Sequence, residues 1–138
     1  MALFIILGHE RDIFDIITSF GVLLMAFGLL LNVRSNYIAI INKCTSEFRD
    51  IVRKSQMENL PKGYTKDILA KDICGLFNEQ LYYMNKLYLP KSFRQEWKKT
   101  INNYIFNAEY DGIIITDKMI FEFQRLNKYY LKHKEKMI

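Results

Sequence analysis

The sequence is poor in the residues that staple small folds or keep a chain open. Two Cys in 138 residues are too few for a disulfide scaffold or a cysteine-only zinc site. Two His leave little for a histidine-rich metal centre. Six Gly and two Pro exclude collagen-like and disordered low-complexity chains, which need many more of both. No G-x-x-x-x-G-K-[ST], G-x-G-x-x-G, H-E-x-x-H or G-x-S-x-G occurs, so the common nucleotide-binding, zinc-protease and serine-hydrolase signatures are missing. What is present is apolar and basic. Half of the residues are hydrophobic and 14% aromatic, and 20 Lys/Arg stand against 15 Asp/Glu, which suits packed surfaces with a cationic exterior.

That charge is unevenly spread. Residues 1–33 carry Arg11 against Glu10, Asp12 and Asp15, whereas residues 34–138 carry 19 Lys/Arg against 12 Asp/Glu. Between Asp15 and Arg34 lie 18 residues without charge, IITSFGVLLMAFGLLLNV. At ~1.5 Å per residue they reach about 27 Å, close to the hydrocarbon thickness of a thin bilayer. A buried core helix is the plainer alternative, but its uninterrupted apolar run is usually shorter. The N-terminal flank is acidic and no A-x-A site follows the run, so a retained anchor is expected rather than a cleaved leader. Arg34, Lys43, Arg49, Arg53 and Lys54 follow the run and only Arg11 precedes it. The positive-inside rule then places the N-terminus outside and the C-terminal bulk in the cytoplasm, with membrane lipid as a partner. The leading ALFIIL, residues 2–7, is too short to cross alone; it either lies in the interface or extends the same helix.

The span is two-faced. At 100° per residue, Ile16, Ile17, Phe20, Leu23, Leu24, Phe27, Leu30 and Leu31 fall on one half. Asp15, Thr18, Ser19, Gly21, Val22, Met25, Ala26, Gly28, Leu29 and Asn32 fall on the other, which holds every polar or small residue. Small residues let helix backbones approach, and Ser, Thr and Asn bond across a helix pair. Polar groups facing lipid are costly. This second half is therefore the expected interface of a homo-oligomer, or the lining of a pore. The seven-residue step from Gly21 to Gly28 suits a left-handed bundle.

After the span the chain reads as all-α, with 1–33 as flank and transmembrane helix and 34–138 as a cytoplasmic helical domain of about four helices. Tyr37, Ile41, Cys44, Phe48 and Ile51 form one apolar stripe that continues the first helix to about Leu60, where Pro61-Lys-Gly63 breaks it. Thr65 can cap a helix with Ile68, Leu69, Ile73, Leu76, Phe77, Leu81, Met84, Leu87 and Tyr88 inward, ended by Pro90. Ser92-Phe-Arg-Gln95 has the capping-box form, and the helix it opens carries Phe93, Trp97, Ile101, Tyr104, Ile105 and Ala108. Asp111-Gly112 predicts a turn, and Ile113–Ile115 is β-branched. Thr116 can cap a last helix with Ile120, Phe123, Leu126 and Tyr130 inward.

Candidate chemistry is sparse. His9 lies on the expected outer side and His133 near the tail, so they do not share a site within one protomer. Cys44 and Cys74 fall on apolar stripes, as buried structural thiols do; a reactive thiol would need an adjacent His or a basic cluster on the same turn, which neither has in sequence. Asn78 and Asn85 share a helix face beside Glu79. They are either a polar binding cluster, a wet face, or a buried amide that fixes register. Trp97 is the single Trp and suits the core. In the tail, Arg125, Lys128, Lys132, Lys134 and Lys136 are interleaved with Tyr129 and Tyr130. Such a segment contacts an anionic leaflet, contacts RNA through phosphates with stacked tyrosines, or simply ends a helix with cations in water.

The order of features, together with FNEQLYYMNKLYL at 77–89, the Trp97 helix that follows Ser92, and FNAEY at 106–110, resembles the membrane-pore accessory proteins of type VI-B CRISPR systems. The resemblance implies an oligomeric membrane protein that depolarises infected cells in antiviral defence, with an RNA-guided nuclease or RNA as partner. Members of that group have been related to HEPN domains, whose nuclease motif is Arg, four to six residues, then His. Here seven residues separate Arg125 from His133 and no Arg stands at the required spacing. No catalytic residue is carried over, and neither an enzyme, a cofactor, a metal nor a small-molecule substrate is expected. A second class of function needs less: a membrane-tethered helical binding module or scaffold at the inner leaflet, without a pore.

Overall fold

The computed structural model describes the backbone of residues 2–86 and 89–136, and within these the side chains from Ile13 onward. His9, Leu87 and Tyr88, singled out above, lie outside the described side chains. The chain is all-α: α1 (Ala2–Ser55), α2 (Lys66–Lys86), α3 (Lys91–Ile105), α4 (Asp117–Phe121) and α5 (Gln124–Lys134). It divides into two compact units, residues 1–39 and 40–138, with α1 contributing to both.

In the first unit, α1 already includes residues 2–7, so the ALFIIL segment extends the helix. From Ile13 to Val33 every residue is exposed except the half-buried Gly21. The most apolar window has a mean hydropathy of 2.2, and none of it is buried. An apolar run this long with no protein against it is compatible with membrane anchoring. The Thr18 hydroxyl donates to the Phe14 carbonyl at 2.7 Å, so it is satisfied within its own helix as buried or lipid-facing threonines are.

The second unit has its own core. The late part of α1 buries Cys44 completely and sets Phe48 against Phe77 and Tyr104, at ring separations of 6.5 and 5.8 Å. The helix stops at Ser55, short of Leu60. The buried Ser55 hydroxyl bonds the carbonyls of Val52 and Asp111 at 2.7 and 2.9 Å. Thr65 caps α2 as its sequence suggests, accepting the Ile68 amide at 3.2 Å. Leu69, Ile73, Leu76, Phe77, Leu81 and Met84 are buried. Ile68 is not: it is 40% exposed, because one residue before Leu69 is a 100° step off the packed arc.

α3 departs from its expected start. It opens at Lys91 with Pro90 as N-cap and no side-chain cap, and its first backbone bond runs from the Arg94 amide to the Pro90 carbonyl. The fixed φ of Pro90 presets that carbonyl, so Ser92 falls inside the first turn and the capping box does not form. Trp97, Ile101, Tyr104 and Ile105 are buried. Phe93, one turn earlier, is 41% exposed, and Ala108 lies exposed beyond the helix end.

Asp111-Gly112 makes a tight two-residue turn. Tyr110 and Ile113 exchange both backbone bonds at 3.0 and 2.9 Å, with φ of 51° at Asp111 and 73° at Gly112. Two successive positive φ values define a type I′ turn, which Asp-Gly favours. Ile113 and Ile115 are buried and Ile114 is exposed, the alternation of extended chain. Asp111 ties the turn down: its carbonyl accepts from Ser55 and its carboxylate accepts the Tyr104 hydroxyl.

The last helix predicted from Thr116 is two helices. Thr116 caps α4, accepting the Met119 amide at 3.4 Å, but the extended backbone of Phe123 (φ −115°, ψ 107°) separates α4 from α5. Ile120, Leu126 and Tyr130 are buried, whereas Phe123 is only half-buried at the break. Positions 120, 123, 126 and 130 keep helical spacing across the two-residue break at Glu122 and Phe123, so periodicity does not reveal it.

Candidate functional site

Two regions have the character of sites, one in each unit. In the first unit, helical geometry alone brings together the residues expected at an interface. Asp15, Thr18, Ser19, Val22, Met25, Ala26, Gly28, Leu29 and Asn32 are exposed and Gly21 is half-buried. A Cβ added at Gly21 or Gly28 would meet nothing within 4 Å. The opposite apolar half is equally bare. Apart from the Thr18 hydroxyl, which bonds the Phe14 carbonyl, no described residue packs against the small-residue face.

In the second unit the polar candidates separate into three different roles. The Asn78 side-chain oxygen accepts the amides of Arg125 and Leu126 at 2.9 and 3.3 Å. It is a cap delivered from α2 to the open N-terminus of α5, which has no side-chain cap of its own. Those amides are among the donors a helix start leaves unpaired. Glu79 pairs with Lys43 at 3.3 Å, and this pairing holds the Lys43 ammonium above its ordinary pKa. Asn85 is exposed and lines a groove described below. Trp97 is buried in the core. Cys44 and Cys74 are fully buried free thiols. Burial, chiefly, pushes Cys44 up to about 11 and Cys74 up to about 12, so both stay protonated and unreactive near neutrality. Among the described residues no group of three or more His, Cys, Asp and Glu could hold a metal ion.

The groove is a concave feature of this unit that gathers charge of one sign. It encloses about 530 Å³ and is lined by Leu81, Met84 and Asn85 of α2, Lys98 of α3, and Gln124, Arg125, Lys128, Tyr129, Lys132 and His133 of α5. No carboxylate lines it. Positions 81, 84 and 85 share one face of α2, and 125, 128, 129, 132 and 133 share one face of α5, by the same i, i+3, i+4 rule. Lys98, Lys128 and Lys132 are exposed and form no ion pair with any described carboxylate. Arg125 stacks its guanidinium over the Tyr82 ring at 4.7 Å.

Of the five tail cations singled out from sequence, Arg125, Lys128 and Lys132 meet in this groove. Lys134 is turned elsewhere, toward Asp117 at 3.6 Å and over the Tyr130 ring, and Lys136 is exposed outside it. The tyrosines are already engaged. Tyr130 is buried and donates to Asp117 at 2.9 Å. Tyr129 donates to Asn102 at 2.9 Å and stacks on His133, with 4.1 Å between ring centroids. Burial leaves Tyr130 no ring face for stacking a base, and His133 covers one face of Tyr129. Sequence reading missed Lys98, because its place in the groove depends on how α3 packs and not on any local pattern.

No family model matches the chain, and comparison with curated proteins and with solved structures finds no match.

Proposed function

We propose that this chain is a membrane protein that assembles through the small-residue face of its first helix, and that the assembly forms a pore or otherwise perturbs the bilayer. One observation carries the reading. A long apolar helix, bare on all sides, confines Asp15, Thr18, Ser19, Gly21, Ala26, Gly28 and Asn32 to one half. A lone anchor in lipid gains nothing from such segregation, whereas a ring of helices hides or hydrates those groups. The basic residues that follow the run support an N-terminus outside and residues 40–138 on the cytoplasmic side of a bacterial inner membrane. The resemblance to type VI-B accessory proteins supports a role in antiviral defence beside an RNA-guided nuclease. A second reading, a tethered binding module, is favoured by the cationic groove.

The deciding measurement is the mass of the full chain in detergent, taken with dye release from liposomes that contain it. A single assembly of several subunits that leaks dye is expected. A monomer that leaves the dye enclosed would rule out the pore and leave the tether.

A further inference from the structure

We propose that the groove between α2, α3 and α5 is a binding site for an organic polyphosphate of nucleotide size. The inference deepens the tethered-module reading and stands whether or not the first helix conducts. Its charge comes first. Lys98, Arg125, Lys128 and Lys132 line one concavity, with His133 beside them and no carboxylate among the lining residues. Four permanent cations held together without counter-charges repel one another, and a multiply charged anion relieves that repulsion. Lysines act on phosphate as point charges, and an arginine adds a planar fork.

The shape selects among anions. A volume of about 530 Å³ lies in the range of small-molecule pockets and is larger than a bare phosphate needs. The Tyr129 ring, the lysine stems and the exposed edges of the otherwise buried Leu81 and Met84 supply apolar surface, which cannot serve a bare inorganic anion but can cover an organic body. Tyr129 is held by Asn102 and His133, so it forms a fixed wall on that side. Asn85 and Gln124 add amide groups at the groove. A flat bilayer and a duplex are both too broad to enter a groove of this size, so a discrete molecule fits the concavity better than either.

The Arg125 end of the groove is built as well as charged. The Asn78 cap holds the start of α5 through the Arg125 and Leu126 amides, and Tyr82 supports the guanidinium. Lys128 and Lys132 then follow on successive turns of the same face.

The test uses the full chain in detergent, with fluorescent ATP as probe and unlabelled ATP, tripolyphosphate, single-stranded RNA, and vesicles containing phosphatidylglycerol as competitors. Saturable ATP binding is expected, weakened as salt rises because the contacts are ionic. Tripolyphosphate should compete measurably less well than ATP, since it leaves the apolar part of the groove lining uncovered. The double variant Lys98→Glu/Lys128→Glu should lose at least about tenfold in affinity. Lys118→Glu, which makes the same kind of charge change outside the groove, should lose less than about twofold. Both variants should keep the wild-type circular dichroism and melt no lower than wild type, because these lysines are exposed and the groove variant relieves repulsion among the cations.

No saturable ATP binding would overturn the proposal. So would equal losses from the groove and control variants, or competition by the vesicles or the RNA alone, which would assign the cations to a lipid surface or a nucleic acid. None of these outcomes depends on the oligomer, so failure here is distinct from failure of the pore.

Discussion

Asn78 shows how much one side chain can organise. Read in sequence it is a polar residue on a helix that also carries Glu79 and Asn85, and nothing local distinguishes a wet amide from a structural one. In the fold it closes the start of α5, where the chain has just broken away from α4 and two amides need an acceptor. Asn78→Ala removes that acceptor and should cost about 1–2 kcal/mol, as loss of a helix cap does. For a domain of this size that is a fall of roughly 4–16 °C in melting temperature. Fluorescence of the buried Trp97, the single Trp of the sequence, reports this unit without interference from the apolar helix. Asn78→Asp keeps the acceptor and adds favourable charge at a helix N-terminus, so it should melt close to wild type. An Asn78→Ala variant as stable as wild type would mean that the two bonds contribute nothing. The thiols show the opposite case. Cys44 and Cys74 were legible as core residues from their stripes alone, because a buried cysteine needs no partner that sequence fails to show.

At the scale of elements, helices were legible where one strong rule governed them and not where two competed. The apolar stripe after Arg34, the Thr65 cap and the Asp-Gly turn each rest on a single local preference, and each appears in the fold. The Ser92 box lost to Pro90 two positions earlier, and the α4–α5 break lies in phase with the stripe around it. Exposed Ile68 and Phe93 mark helix beginnings that periodicity extends too far. The first helix makes the clearest element-level prediction. Open space surrounds Gly21 and Gly28, so Leu at both positions meets no obstacle inside the chain and should leave the fold intact. Any effect must come from neighbouring chains. Gly21→Leu/Gly28→Leu should shift the detergent-purified protein to smaller species, since larger side chains hold helix backbones apart. Leu23→Ala/Phe27→Ala, on the other half, should leave the assembly at wild-type size. Equal loss from both pairs would remove the face assignment, and with it the reason to expect a pore.

At the scale of the whole molecule, the all-α architecture and the long apolar helix were readable from composition and periodicity. The groove was not: Lys98 and the α5 cations are far apart in sequence and meet only through packing. Conduction also belongs to this scale, because no single chain can show it. If the small-residue face lines a pore, Asp15 and Thr18 stand toward one mouth and Asn32 toward the other, with Val22, Met25 and Leu29 between them. A ring of such apolar side chains can close to ions by dewetting, with no physical plug. Met25 is the central of the three, and its side chain is 74% exposed. Met25→Ser replaces an apolar surface by one that holds water, so it should raise basal leak, read as loss of membrane potential or dye entry without any trigger. Met25→Leu keeps the surface apolar and should stay shut. The pair separates a wetting effect from a mere change of shape, since both replacements are smaller than methionine or close to it in volume. If Met25→Ser assembles at wild-type size and leaks no more than wild type, the constriction does not lie at this residue. The segregated face would then serve packing alone, and the function would rest with the cationic groove of residues 40–138.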